Sequence, residues 1–303
     1  MAKAAKPKTA VTPKKAATPK TPATPKTPAT PVVAAVSPTA ASPKTATSSK
    51  RAAPSARILR VLMIASEAQP FSKTGGLADV ATALPKALGR LGHQVTLITP
   101  RYRGAPDGPV AGTVSVEVAG HRFDARLLEQ PLGPGARALL LDCPELYDRD
   151  GIYYEAGGDY PDNAIRYAFL SAAAIDFAAQ QADRFDIIHT HDWQGGLAPS
   201  YARALGEGAP ATVLTIHNLA YQGIFDKTWV PRLGLSWQDF TIGGFEFFDR
   251  LGFLKAGINF ADAITTVSPT YADEIQRPEF GQGDRRHRIG GQDGHQGSAV
   301  CRA

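Results

Sequence analysis

The chain has 303 residues and a formal net charge of +5, but that charge is unevenly placed. Residues 1–57 hold 9 Lys, 2 Arg and no Asp or Glu, a net of +11, so residues 58–303 carry −6 and the basic isoelectric point is no ground for reading the folded part as a nucleic-acid binder. With no secretory apolar segment and no apolar run of about 18 residues, the composition excludes a membrane-spanning helix and leads us to expect a soluble, cytoplasmic protein.

In chain order, residues 1–56 come first: a Lys/Pro/Ala/Thr tail in near-repeats around Thr21–Pro31. Ten of the 24 prolines fall in residues 1–57, which hold no aromatic residue. Such a segment cannot bury enough apolar surface to offset its chain entropy, and is expected to be a disordered spacer. A weak, sequence-blind polyanion-binding arm is the alternative. An organelle transit peptide fits less well, because the basic residues are nearly all Lys. The two cysteines, Cys143 and Cys301, have no metal or redox spacing and fit a reducing compartment.

From Arg57 onward strands and helices alternate. ILRVLMIA (58–65) is a nearly unbroken apolar run, as expected of a parallel strand covered on both faces. Leu77–Leu91 has a helical apolar stripe interrupted by Pro85, which predicts a kink or a two-piece helix. QVTLITP (94–100) is the next strand. Residues 110–142 hold close-spaced strand candidates, read as an antiparallel extension of the sheet. A long helix is predicted from Pro161 to about Ala182, with proline in its first turn. FDIIHTH (185–191) and ATVLTIHN (211–218) are strands ending in histidine, with a Gly-flanked helix between them. FEFFDRLGFLKAG has phenylalanines at helical spacing and reads as a core-facing amphipathic helix. AITTVSP (263–269) is the last strand expected, followed by a helix capped by Ser268. The pattern is an α/β fold: a Rossmann-like, mostly parallel sheet with helices on both faces. Right-handed crossovers place the strand C-termini along one edge, where such folds bind ligands.

Three polar clusters reach that edge. In FSKTGGLADV, Gly75 and Gly76 permit close backbone approach, the following helix start offers free N–H groups, and Lys73 adds a cation. The combination suits a phosphate or another oxyanion; equally, the glycines could only shape the turn. Neither standard phosphate fingerprint is present. In FDIIHTHDWQGG, His189 and His191 share a strand face beside Asp192. Metal binding is disfavoured for lack of a third ligand, which leaves a buried cap or contacts to a hydroxyl-rich ligand. TIHNLAYQG brings His217 and Asn218 to a strand end with Tyr221 and Gln222 nearby, the donors, acceptors and aromatic surface of a sugar site. No GxSxG elbow supports a Ser-His-Asp hydrolase.

KTGGLADV (73–80), HDWQGGLAP (191–199), TIHNLAYQGIF ending at Phe225, LKAGINFADAITTVSPTYADEI (254–275) and GGDYPDNAIRYAFLSAAA (157–174) together resemble bacterial glycogen synthase, of the ADP-glucose-dependent starch/glycogen synthase family. The resemblance implies that residues 57–280 are the N-terminal Rossmann-like half of a two-domain GT-B glycosyltransferase. It implies retaining transfer of glucose from ADP-glucose to the 4-hydroxyl of a non-reducing α-1,4-glucan end, with no metal and no cofactor. Lys73, Gly75 and Gly76 would contact the diphosphate, and His217 the transferred glucose with Asn218 beside it. Asp192 and a tyrosine of the Tyr153-Tyr154 pair, taken as Tyr153, would line the glucose and acceptor region.

Residues 281–303 lack periodicity and depart from the family pattern. They are expected to be an aberrant or disordered tail, from a frameshift or truncation, with the second domain missing and the chain inactive alone. The alternative is a non-catalytic single-domain module that binds glucan or a nucleotide sugar.

Overall fold

The computed structural model describes residues 57–277 and 299–300, all within the unit Pro54–Ala303. The readings of residues 1–56, of Cys301 and of most of 281–303 lie outside the described residues. Strand β1 (Arg60–Ile64) leads through helix α1 (Leu77–Arg90) to β2 (Gln94–Pro100). Strands β3 (Val110–Val118), β4 (His121–Gly133) and β5 (Ala136–Asp142) follow, then the short helix α2 (Pro144–Tyr147). A small hairpin, β6 (Tyr154–Glu155) and β7 (Gly158–Asp159), precedes helix α3 (Asn163–Ala179) and β8 (Ile187–His191). After α4 (Ala198–Ala202) come β9 (Ala211–Ile216), β10 (Ile224–Asp226) and α5 (Trp229–Arg232). Strands β11 (Glu246–Phe247) and β12 (Arg250–Gly252) run into α6 (Phe253–Phe260), β13 (Ala263–Thr266), α7 (Pro269–Glu274) and β14 (Ala299–Val300).

The main sheet has the order β14-β13-β9-β8-β1-β2-β5-β4-β3. Every pairing from β14 to β5 is parallel; only β5–β4 and β4–β3 are antiparallel. The chain builds outward from β1 to one side through β2 and β5, then returns to the other through β8, β9 and β13. The switch point therefore lies between β1 and β8, where open α/β sheets form a ligand crevice at the strand C-termini. Alternation along β1 sends Leu62 and Ile64 into the cluster built on α3, and Val61 and Met63 into the one that holds Leu77 and Ala81 of α1. Both faces of the sheet are covered, which explains why its strands read as unbroken apolar runs.

Four expectations need correction. Helix α1 runs as one piece through Pro85, which is buried. The apolar face that α1 sets against the sheet outweighs the lost N–H bond, a cost of about 3 kcal/mol. Helix α3 begins at Asn163, so Pro161 precedes the N-cap Asp162 and is outside the first turn. Residues 246–252 of FEFFDRLGFLKAG form the β11–β12 hairpin, and only Phe253 onward is helical. Its two-residue turn places Phe248 and Asp249 at φ 49° and 59°, a left-handed pair that no helix accepts. Finally, β14 adds a strand beyond β13. Ser268 does cap α7, accepting from Tyr271 N–H at 3.1 Å. Among the described residues no helix is long and apolar enough to cross a membrane.

The turn after β8 is held against α6 by close backbone approach. A Cβ on Gly196 would run into the Phe253 carbonyl, and one on Gly257 would meet the Gly196 backbone at 3.2 Å. Gly196→Ala should therefore destabilise the domain by about 1–3 kcal/mol, since rigid backbone must move to admit the methyl. Urea unfolding checks this; an unchanged midpoint would show that the two segments are not in contact.

Candidate functional site

The crevice is organised around a buried carboxylate just past β1. Glu67 is 3% exposed. It accepts from Thr74 N–H, from Thr74 Oγ1–H at 2.7 Å, from Gly75 N–H at 3.3 Å and from Tyr153 Oη–H. Tyr153 Oη is also 2.8 Å from Ser66 Oγ. One side chain thus ties the strand end, the Lys-Thr-Gly-Gly turn and the Tyr153 loop. Burying a carboxylate is costly unless it is well bonded, and four donors meet that need. The Tyr153 loop is pinned from α3: Asn163 Nδ2–H donates to the Tyr153 carbonyl at 2.9 Å, and Arg166 Nη1–H and Tyr167 Oη–H donate to the Ile152 carbonyl at 2.9 and 3.0 Å. Burial and the Glu67 charge hold the Tyr153 phenol well above its ordinary pKa, so it is a neutral donor.

Asp192, directly after β8, forms the second node. Its Oδ1 accepts from His217 N–H at 2.7 Å and Asn218 N–H at 3.3 Å, which fixes the end of β9. Its backbone is at φ 51°, ψ −167°, a region nearly confined to glycine and strained by about 1–3 kcal/mol. The two accepted bonds, and Asp192 N–H to the Thr215 carbonyl at 2.9 Å, hold it there. Burial pushes the Asp192 carboxyl up to about 6; the two amides oppose this and Glu67 adds to it. Behind it, the rings of His189 and His191 stack at 4.5 Å, as their shared strand face requires. His191 Nδ1 lies 2.9 Å from His217 Nε2, and His189 Nε2 lies 2.6 Å from Thr215 Oγ1. Burial lowers all three imidazoles, His189 and His217 to about 4 and His191 well below its ordinary value.

The turn at 73–76 is the third part. Lys73 Nζ is bonded to both Asp79 oxygens at 2.7 and 2.8 Å, an exposed pair of small net worth that a better anion can displace. A Cβ on Gly75 or Gly76 would meet nothing within 4 Å, and Gly76 has an ordinary φ of −70°. The fold therefore does not demand glycine at either position, contrary to a purely conformational reading. What the missing side chains leave is open backbone at the start of a 14-residue helix with no side-chain cap.

Of the residues singled out from the sequence, Tyr153 is bonded to Glu67 past β1, and Asp192 holds the amides of His217 and Asn218 past the adjacent β8. Lys73, Gly75 and Gly76 join them through the Glu67 bonds to Thr74 and Gly75. The Asn218 side chain is partly spent locally, accepting from Ala220 N–H at 3.0 Å. Glu67 was missed, as were Ser66 and Thr215. An acid two residues past a buried parallel strand was the available signal; the lysine and glycines downstream drew attention instead.

Buried neutral histidines set a pH dependence. Each binds fewer protons folded than unfolded, so stability rises with pH between the folded value near 4 and the unfolded 6.5. Asp192 acts oppositely: its pKa rises from 3.8 to about 6, so its ionisation costs stability over that window. Three imidazoles against one carboxyl leave a positive slope. Unfolding free energy should climb by roughly 2–5 kcal/mol between about pH 4.5 and 6.5, read by denaturant titration. A flat or falling profile would mean that the histidines are solvated.

Comparison with known proteins agrees with this fold. A profile described as starch synthase catalytic domain matches residues 60–287. Glycogen synthase of Roseobacter denitrificans is 49% identical over 230 residues, covering 74% of this chain and 48% of that protein. Glycogen synthase of Anaeromyxobacter dehalogenans is 47% identical over the same length. The chain thus spans about half the length of these curated relatives. Among solved structures, the catalytic domain of starch synthase IV from Arabidopsis thaliana, bound to ADP and acarbose, superposes with a TM-score of 0.64 at 30% identity, over 75% of this chain and 48% of that one. With three quarters of its length matched and its crevice built on the matched segments, the chain belongs to the starch synthase catalytic domain family.

Proposed function

We propose that this chain provides the acceptor-side and diphosphate-contacting wall of a retaining glucosyltransferase that moves glucose from ADP-glucose to the 4-hydroxyl of a non-reducing α-1,4-glucan end. The observation that carries the reading is the joining, through Glu67, of the turn at an uncapped helix start to the neutral Tyr153 phenol on the rim. The helix start supplies positive potential where a leaving diphosphate gathers charge, and the rim suits a hydroxyl-rich sugar. The ADP and acarbose bound to the Arabidopsis relative support both halves of that assignment.

In this reading Lys73 leaves Asp79 for the diphosphate, and the backbone at Gly75 and Gly76 lies against it. Thr74 and Gly75 N–H are engaged by Glu67, so the anion is met by the N–H groups of the first turn of α1, which have no intrahelical acceptor. His217 contacts the transferred glucose with Asn218 beside it, while Asp192 and Tyr153 line the glucose and acceptor region. As the anomeric bond breaks, charge grows on the departing ADP and on the oxocarbenium-like sugar. Fixed dipoles and the lysine stabilise the first, and carboxylates at Asp192 and Glu67 the second.

Calorimetric titration of the purified chain with ADP-glucose tests this. Binding is expected, competed by ADP, weakened about tenfold in Lys73→Ala and weakened further by salt. A chain that binds neither ADP-glucose nor a maltooligosaccharide, or a Lys73→Ala variant with unchanged affinity, would sink the proposal.

A further inference from the structure

His191 is fully buried and its Nε2 has no hydrogen-bond partner. Its Nδ1 faces His217 Nε2 at 2.9 Å. Burial keeps both rings neutral near pH 7, so each carries one proton on one of its two nitrogens. A contact between two nitrogens holds one proton, and there are two ways to supply it. If His217 donated from Nε2, the His191 proton would sit on Nε2, leaving a buried N–H with no acceptor. If His191 donates from Nδ1, its Nε2 is a bare lone pair and His217 must carry its own proton on Nδ1. Orphaned buried N–H groups are the rarer and costlier defect, and an under-satisfied acceptor is tolerated more often. Nothing else competes: His189 uses its Nε2 on Thr215 Oγ1, itself 2.7 Å from Thr265 Oγ1, and meets His191 only through the ring face.

We infer that His191 is a positioning residue that fixes His217 in the Nδ1–H tautomer, so that His217 offers the crevice a hydrogen-bond donor and not an acceptor. On the function proposed above, on which this role rests, the group it serves is an oxygen of the bound sugar. The same bond orients the ring, because Nε2 is held from behind. Asp192 sets the backbone of His217 through Oδ1 while His191 sets its side chain, so residues 191 and 192 divide the task between them. Among the described residues no three or more His, Cys, Asp or Glu side chains are grouped so that they could hold a metal ion.

Long-range proton–nitrogen correlation spectra of the nitrogen-15-labelled chain near pH 7 decide the tautomer, with the His217 signals assigned by their loss in His217→Phe. The expected pattern is a protonated Nδ1 and a bare Nε2 on His217. In His191→Asp, whose carboxylate can only accept, His217 Nε2 should become protonated, and in His191→Asn, whose amide can donate from nearly the same place, the proton should stay on Nδ1. A wild-type spectrum with His217 protonated on Nε2 overturns the inference, whether or not the variants fold. So does a folded His191→Asp variant in which His217 Nε2 stays bare. Adding ADP-glucose separates this from the functional reading. Perturbation of the His217 Nδ1–H signal, with affinity lower by about tenfold in His191→Asp and largely kept in His191→Asn, supports both. The expected tautomer with no response to ADP-glucose leaves the assignment standing and removes the sugar-nucleotide role.

Discussion

A buried carboxylate at the centre of a parallel sheet has to be justified by what it binds, and Glu67 binds two separate stretches of chain. Its two oxygens take the amides of Thr74 and Gly75, the Thr74 hydroxyl and the Tyr153 phenol. Without those donors the charge could not stay in a place that is 3% exposed. Without the charge, the Lys-Thr-Gly-Gly turn and the Tyr153 loop would have no common anchor. The dependence runs both ways, so the entry to α1 and the loop before α3 are built as one unit, although Glu67 and Tyr153 lie 86 residues apart. Position matters too: β1 is the strand from which the sheet grows in both directions, and the residues just past it are central to the crevice.

The neighbouring strand solves a similar problem with different chemistry. In β8 the imidazoles of His189 and His191 stack face to face, and just past it a strained aspartate holds the end of β9. Trp193 then closes the floor, edge-on to Tyr167 at 4.9 Å and with Phe225 and Phe253 on its other side. Gly223, at φ 62°, lies so close to the indole that any side chain there would collide with it. The apolar floor lowers the local dielectric, which is why the histidines above it stay neutral and why hydrogen bonds on the rim count for more than they would in water.

Much of the architecture was legible because burial on both faces leaves an unmistakable trace. Arg60–Ile64, Gln94–Pro100 and Ile187–His191 are apolar runs too short for helices, and the histidines and aspartate at their ends mark the ligand edge. Phe245–Phe253 was misread because a hairpin with a two-residue turn also brings phenylalanines onto one side. The determining feature, positive φ at Phe248 and Asp249, has no sequence signature when glycine and asparagine are absent. Helix α1 tolerates Pro85 through tertiary packing, which local propensity cannot report. The site was half legible. Lys73, Asp192 and His217 draw notice by residue type and place, whereas Tyr153 is reached only through the family resemblance. Glu67 does not, because a carboxylate in Ser66-Glu67-Ala68 looks like surface until the fold buries it, and the pairing of His191 with His217 depends on the register of β8 against β9.

The order in which the sheet is assembled has a consequence for how the protein reaches its native state. The first neighbour of β1 arrives early: Leu59 and His93, which join the two strands, are 34 residues apart. Its other neighbour comes much later, since Arg60 reaches Asp186 across 126 residues. Until that return, one edge of the most apolar strand in the molecule has unpaired amides and carbonyls beside Leu62, Met63 and Ile64. Chains emerging from the ribosome would spend that interval as sticky intermediates, prone to pair with one another before they close on themselves. The long helix α3, packed across β1 and β2 just ahead of β8, is placed to act as a molecular chaperone in cis, covering that strand's face while the edge waits for its partner.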